Sequence, residues 1–390
     1  MNQKPGDRLL SLDILRGITI AGMIMVNNPG SWNYIYKPLG HALWHGLTPT
    51  DLVFPFFMFI MGISAYISLR KFNFGFDKAT LFKIIKRTVV IFLIGLGLGW
   101  LSLSVRAYNG LSGEELTFFD RLIKSVSNFE NIRIPGVMQR LALTYGITAL
   151  VAILVKHKYI PYIIIITLTG YFLLLLYGNG FELSEQNIIS VFDRAILGAN
   201  HLYTDSGVKL DPEGLLSTIP AVCHVMIGFC CGGLILNTKD NYEKINRLFI
   251  LGAILTFLGF LLSYGCPINK KIWSPTFVLA TCGLASTLLA LLIWIIDIKG
   301  HKKWSVFFES FGVNPLFIYV AAGVLSILLG GILIPYNDAT AISIKGFVYK
   351  ICLQPYLGDY FGSLIFALLF VALNWVIGNI LYKKKIYIKI

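Results

Sequence analysis

The stretch PTDLVFPFFMFIMGISAYISL, residues 49–69, contains a single charged residue, Asp51. At about 1.5 Å of rise per residue, a helix of that length is ~30 Å long, the thickness of the hydrocarbon core of a bilayer. Nine further apolar runs lie near 12–28, 88–105, 137–155, 159–177, 219–237, 248–264, 275–296, 313–334 and 361–382. Over all 390 residues, 56% are hydrophobic and 14% are charged. Soluble domains carry about 25% charged residues, so this chain cannot cover a water-exposed surface. The expected fold is all-α: a polytopic transmembrane bundle of about ten helices, with residues 1–390 forming one domain.

The net charge of +13 would suggest nucleic acid in a soluble protein. In a membrane protein it reads instead as Lys and Arg gathered in cytoplasmic loops. With the N-terminus inside, cytoplasmic segments hold 20 Lys or Arg and outside loops hold 11. Arg16 and Arg140 fall within apolar runs. Both ends are therefore expected in the cytoplasm, with the lipid bilayer as partner and no nucleic acid. The N-terminal stretch carries Asp7, Arg8, Asp13 and Arg16 without a small-residue cleavage site, and does not read as a removable signal peptide. Six cysteines show neither zinc nor CxxC spacing, and no metal is expected. A disulfide between Cys266 and Cys352, both in outside loops, is the one pairing left open.

The outside loops 29–48, 106–136, 178–218 and 335–360 are long and rich in Gly, Asn, aromatic and acidic residues, where function concentrates. Polar clusters stand out at their junctions with the apolar runs. Asp13 and Arg16, three residues apart, share a helix face and read either as a structural ion pair or as part of a site. His41, Trp44, His45 and Asp51 gather where a loop enters the bilayer. Imidazole titrates close to neutral pH, which suits proton transfer or acyl acceptance. Arg140 follows Arg133-Ile134-Pro135-Gly136 at a helix start; it either clamps a phosphate or carboxylate, or neutralises Asp13 or Asp51. The segment with Asp193, Arg194 and His201, followed by Asp211 and Glu213, reads as an ordered polar loop. The GLGLG run at 95–99 reads as close helix packing.

Seven collinear pieces carry a family resemblance: 8–27, HALWHGLTPTDLVFPFFMFIMG at 41–62, IRIPGVMQRLALTYG at 132–146, DRAILGANHLYTD at 193–205, DPEGLLSTIPAV at 211–222, 269–281 and 382–390. Together they resemble the membrane core of the heparan-α-glucosaminide N-acetyltransferase family, including its bacterial members. The resemblance implies transfer of acetyl from cytoplasmic acetyl-coenzyme A to the amine of a glucosamine-type sugar outside. It implies an inner-membrane, multi-pass location in a bacterium, an amino-sugar acceptor as partner, and acetyl-coenzyme A as co-substrate. A homodimer is left open. His41 matches the catalytic histidine, Asn27 the functional asparagine and Arg140 the arginine of PGVxQR. The family's lysosomal enzyme carries a lumenal domain and a further helix that are not in these 390 residues. His45 stands where the family motif HAxWNG has asparagine.

On this reading His41 either accepts the acetyl group or deprotonates the sugar ammonium, and Asn27 donates to the carbonyl oxygen. Arg16 and Arg140 are expected to hold the coenzyme. Trp44, His45, Asp51 and His201 are expected to bind substrate. Two other functions fit the same features: a secondary transporter of a sugar or small anion, although no inverted repeat is evident, and an O-acetyltransferase of a surface polysaccharide.

Overall fold

The computed structural model describes residues 9–113, 115–337 and 340–388. Asp7 and Arg8, and the last two residues of the 382–390 piece, lie outside the described residues. In chain order the helices are α1 (Leu10–Asn27), α2 (Pro49–Arg70), α3 (Lys78–Gly110), α4 (Phe118–Val126), α5 (Val137–Leu154), α6 (Ile160–Tyr177), α7 (Ile188–Leu197), α8 (Thr218–Asn237), α9 (Asn241–Leu262) and α10 (Pro275–Leu292). They continue with α11 (Val306–Val313), α12 (Pro315–Gly331), the single turns α13 (Ile344–Phe347) and α14 (Gln354–Leu357), and α15 (Asp359–Lys383). Between α12 and α13 a short antiparallel hairpin pairs β1 (Leu333–Asn337) with β2 (Thr340–Ser343).

The chain is a multi-pass, all-α membrane bundle. Its ten apolar runs fall on α1, α2, α3, α5, α6, α8, α9, α10, α12 and α15. Eight described helices are long and apolar enough to cross a membrane, and the α11–α12 pair, bent by 77°, passes the same test jointly, as a broken span or a re-entrant loop. Pro315 stands at the bend, where its ring cannot continue the helical hydrogen bonding of α11. Against the expectation of about ten helices stand eight candidate spans among the described residues, or nine if the bent pair is one span; the 18-residue α1 is the remaining apolar run.

Burial sorts the spans into two rings. In α2 and α8 72% of the apolar window is buried, against 17% in α3 and 22% in α9. The outer helices turn Leu93, Ile165 and Phe257 outward, which is costly in water and favourable in lipid. Helices in lipid associate through close backbone approach at small residues. At the α2–α8 crossing, a Cβ on Gly62 would overlap the Val225 carbonyl and one on Gly228 the Phe59 carbonyl. Gly17 and Gly312 join α1 to α11 in the same way. Within the 95–99 run, only Gly95 is packed tightly, against Met138 and Gln139, while Gly97 faces open space.

The loops read as outside loops meet at one end of the bundle. Gly46 donates its N–H to the Ile268 carbonyl at 2.8 Å, Ile134 to His201 at 3.0 Å, and Gly30 to Ser363 at 3.1 Å. All six cysteines are free thiols, with Cys266 buried and Cys352 exposed; the disulfide left open in the sequence is not formed.

Candidate active site

Residues Thr48-Pro49-Thr50-Asp51 start α2 with proline in its first turn, where no donor is lost. Asp51 reaches back as a capping box, its Oδ2 accepting from Thr48 N at 3.1 Å and Thr48 Oγ1 at 2.9 Å. The same oxygen accepts from Ala42 N at 3.1 Å. Its other oxygen, Oδ1, lies 2.7 Å from His41 Nδ1. The Asp51 side chain is 1% exposed and that of His41 42%. A carboxylate at Nδ1 fixes the tautomer with the proton there, so that Nε2 carries the lone pair. Asp51 therefore caps a transmembrane helix and orients an exposed imidazole.

Lys270, in the loop before α10, comes within 3.1 Å of His41 Nδ1 and 3.4 Å of Nε2, and 3.6 Å from Asp51 Oδ1. Burial pulls the Lys270 ammonium below the usual lysine range, with Asp51 and Glu213 opposing the shift. Sequence reasoning did not single out Lys270. A pair of lysines, Lys270 and Lys271, in a short outside loop runs against the positive-inside bias, and that was the available signal. His45, at the end of the same His-Trp motif, has Asn269 Nδ2 3.4 Å from its Nδ1. Desolvation holds its imidazole below the usual histidine range. Trp44 donates from Nε1 to the Phe181 carbonyl at 2.7 Å, which tethers the His41 loop to the 178–187 turn.

Arg140 is 1% exposed. It pairs with neither Asp13 nor Asp51, as one sequence reading had it. It donates from Nη2 to the Gly214 carbonyl at 3.1 Å and to Ser217 Oγ, and lies over the Trp273 ring, 4.9 Å from its centroid. Its Nε and Nη1, and Trp273 Nε1, are buried without a hydrogen-bond partner among the described residues. Trp273 follows Lys270 by three positions, so Arg140 belongs to the same end of the bundle as His41.

An ionic network braces this end. Arg133 holds Asp211 through two bonds of 2.8 and 2.6 Å and Glu213 through one of 2.5 Å. Burial works against the Arg133 charge, but the two carboxylates outweigh it and raise the arginine above its usual range. Lys271 pairs with Asp205 at 2.5 Å. His201 donates from Nδ1 to the Ile132 carbonyl at 2.7 Å, joining two loops. Asp193 is fully buried, accepts from Leu216 N at 3.1 Å, and is pushed up to about 6 by burial.

The remaining expected residues lie on α1. Asn27 is exposed at its last position, and no hydrogen bond joins it to His41 among the described residues. Arg16 lies 11 residues earlier, bonded to Asp13 at 2.9 Å, to Ser64 Oγ at 2.8 Å and to the Gly312 carbonyl at 3.2 Å. The ion-pair reading of Asp13 and Arg16 is thus present, and Arg16 reaches beyond it to α2 and α11. Between these ends, Ile20, Met23, Phe57, Leu141, Leu316 and Tyr319, among others, line a small crevice with room for about one water molecule.

Comparison with known proteins gives two alignments. The chain is 27% identical to heparan-alpha-glucosaminide N-acetyltransferase of Mus musculus, covering 82% of this chain and 54% of that protein. It is 28% identical to the Homo sapiens protein of the same name, covering 80% of this chain and 52% of that protein. No family model matches. The alignments establish a distant family relationship, and the chain spans about half the length of the curated relatives it matches.

Proposed function

We propose that this chain is a membrane acetyltransferase that moves acetyl from acetyl-coenzyme A on the cytoplasmic face to the amine of a glucosamine-type sugar on the other face. The setting is a bacterial inner membrane, with both chain ends in the cytoplasm and residues 1–390 acting as one domain. The observation that carries the reading is the buried Asp51 carboxylate holding the Nδ1 side of the part-exposed His41 ring at 2.7 Å. Such a pair presents a base to an incoming ammonium.

His41 Nε2 takes a proton from the sugar ammonium. The freed amine attacks the thioester carbonyl; the C–N bond forms, the C–S bond breaks, and the nitrogen sheds the proton that the leaving thiolate takes up. Both Asp51 oxygens are engaged within the protein, so we assign Asp51 to positioning His41 rather than to binding substrate. His201 likewise positions loops, while Trp44 and His45 face the acceptor. Asn27 donates to the carbonyl oxygen as charge develops, once donor and acceptor are bound.

The donor's path follows α1. Arg16, Ile20, Met23 and Asn27 recur at helical spacing along one face, over ~16 Å of rise. That span suits the extended pantetheine arm. Arg16 then meets the phosphates, and the two unpartnered N–H groups of Arg140 meet a carbonyl of the acyl arm. An acceptor screen of amino sugars with labelled acetyl-coenzyme A and purified protein tests the proposal. N-acetylated hexosamine is expected. Labelled donor left intact while a sugar is bound and translocated would instead favour a transporter, and label on a sugar hydroxyl an O-acetyltransferase.

A further inference from the structure

Beside the His41 ring stands an amine that the proposed reaction does not use. Lys270 Nζ lies 3.4 Å from Nε2, the nitrogen with the lone pair, 3.1 Å from Nδ1 and 3.6 Å from Asp51 Oδ1. It occupies, within the protein, the place that a sugar ammonium takes when it gives its proton to Nε2.

The loop before α10 is built to hold Lys270 there. Gly46 N donates to the Ile268 carbonyl at 2.8 Å, joining the His41 loop to this one. Buried Asn269 accepts through Oδ1 from Lys271 N at 2.8 Å and Ile272 N at 3.2 Å, and its own N–H donates to Ser274 Oγ at 3.0 Å. Trp273 N closes the turn on the Lys270 carbonyl at 3.1 Å. The buried Trp273 takes a φ of +52°, a left-handed conformation that a bulky residue adopts only where its surroundings impose it. A turn fixed this firmly delivers Nζ to the imidazole.

Lys271, next in the chain, gives the contrast. Its side chain is 19% exposed, against 15% for Lys270, yet it pairs with the Asp205 carboxylate at 2.5 Å. The two lysines share a loop and a similar exposure, and differ in partner: a carboxylate for one, a base for the other. An amine is a nucleophile only without its proton. Burial pulls the Lys270 ammonium below the usual lysine range, against Asp51 and Glu213, and His41 Nε2 is within reach to take the proton.

We propose that Lys270 is a second acetyl acceptor, and that the protein acetylates its own Nζ when thioester is present and no sugar amine displaces it. His41 Nε2 takes a proton from the ammonium, and the free amine attacks the thioester carbonyl. The C–N bond forms, the C–S bond breaks, and the nitrogen sheds the proton that the leaving thiolate takes up. The product is a neutral amide, which neither passes its acetyl on to a sugar amine nor keeps the charge beside His41. Self-acetylation therefore switches the chain off when donor outruns acceptor, and bound sugar protects it. The proposal rests on the reading of His41 as the acetyl-transfer centre.

The test incubates the purified wild type with labelled acetyl-coenzyme A, with and without glucosamine, and maps the label by peptide mass spectrometry. Without sugar, label on Lys270 is expected about a hundredfold above that on Lys271, the lower end of what a positioned base contributes. Glucosamine is expected to suppress it. After incubation without sugar, the rate of sugar acetylation should fall in proportion to the fraction of chains labelled, and Lys270→Arg should lose both the label and this slowing. Lys271 is the control within the same chain, so the result does not depend on a variant's folding. Equal label on the two lysines overturns the proposal, as does label on Lys270 that persists at the wild-type level in His41→Ala, or label confined to His41. Sugar acetylated with no label on Lys270 overturns it and leaves the acetyl-transfer reading standing. Label on Lys270 with no sugar acetylated supports it and sets aside only the sugar acceptor. Acetylation of neither overturns both.

Discussion

The two ends of α1 solve different electrostatic problems. At the His41 end the cations meet carboxylates: Arg133 with Asp211 and Glu213, Lys271 with Asp205, and Lys270 beside Asp51. At the Arg16 end the guanidinium meets, among its contacts, the Asp13 carboxylate, the Ser64 hydroxyl and the Gly312 carbonyl. A site that handles protons needs fixed charges that set one tautomer, and the His41 end has them. A site that receives a polyanion needs a cation held in place, and contacts to α1, α2 and α11 hold Arg16. Proton chemistry and anion binding are thus assigned to opposite ends of a single 18-residue helix.

Four substitutions probe this division, in order of expected effect. His41→Ala should lower the acetyl-transfer rate by about a thousandfold or more, the range for loss of a general base, while the protein remains extractable and melts normally. Retained activity in that variant, with loss in His45→Asn, would move the base to His45. Asp51→Asn removes the charge facing Nδ1 but keeps an oxygen for the cap. Its kcat should fall about a hundredfold, ~2.7 kcal/mol, with donor KM little changed. A fall in melting temperature without a fall in kcat would reduce Asp51 to a helix cap. Arg16→Lys keeps the charge and loses the planar fork. We expect donor KM to rise about tenfold, ~1.4 kcal/mol, at nearly constant kcat. The opposite pattern would place Arg16 at the chemistry.

The smallest effect concerns the brace. Asp193 is an acid raised from 3.8 to about 6 by burial, so the folded protein holds this proton more tightly than the unfolded chain. Its carboxyl therefore costs nothing below pH 4, and stability is lost as pH rises through the window from 4 to 6. Asp193→Asn should raise the melting temperature by about 3 °C at pH 7 and leave it unchanged at pH 4. A lower melting temperature at pH 7, with no change at pH 4, would mean that the charge itself serves Arg140.

The spans were legible because length and absence of charge identify a lipid-crossing helix without knowledge of its neighbours. Helices α4 and α7 were read as loop: at nine and ten residues they are too short to span. The 333–343 hairpin was likewise hidden within a stretch read partly as span and partly as loop. At the site, His41 and Asp51 were legible together because they stand ten residues apart across a recognisable helix start. Lys270 reaches them from 229 residues away, a distance that no local pattern encodes. Arg140 was legible as a buried charge, but its partners were not. Ser217 Oγ, a Gly214 carbonyl and the Trp273 ring contact it, with no carboxylate in direct contact, whereas charge counting looks for an acid.

The central claim is that acetyl crosses the membrane while its coenzyme does not. Sealed proteoliposomes with a single protein orientation, loaded with labelled acetyl-coenzyme A and bathed in glucosamine, test it directly. With the chain termini facing the lumen, labelled N-acetylglucosamine should accumulate outside, coenzyme A thiol should stay inside, and His41→Ala should abolish both. Product formed only when donor and sugar share one compartment would contradict the account.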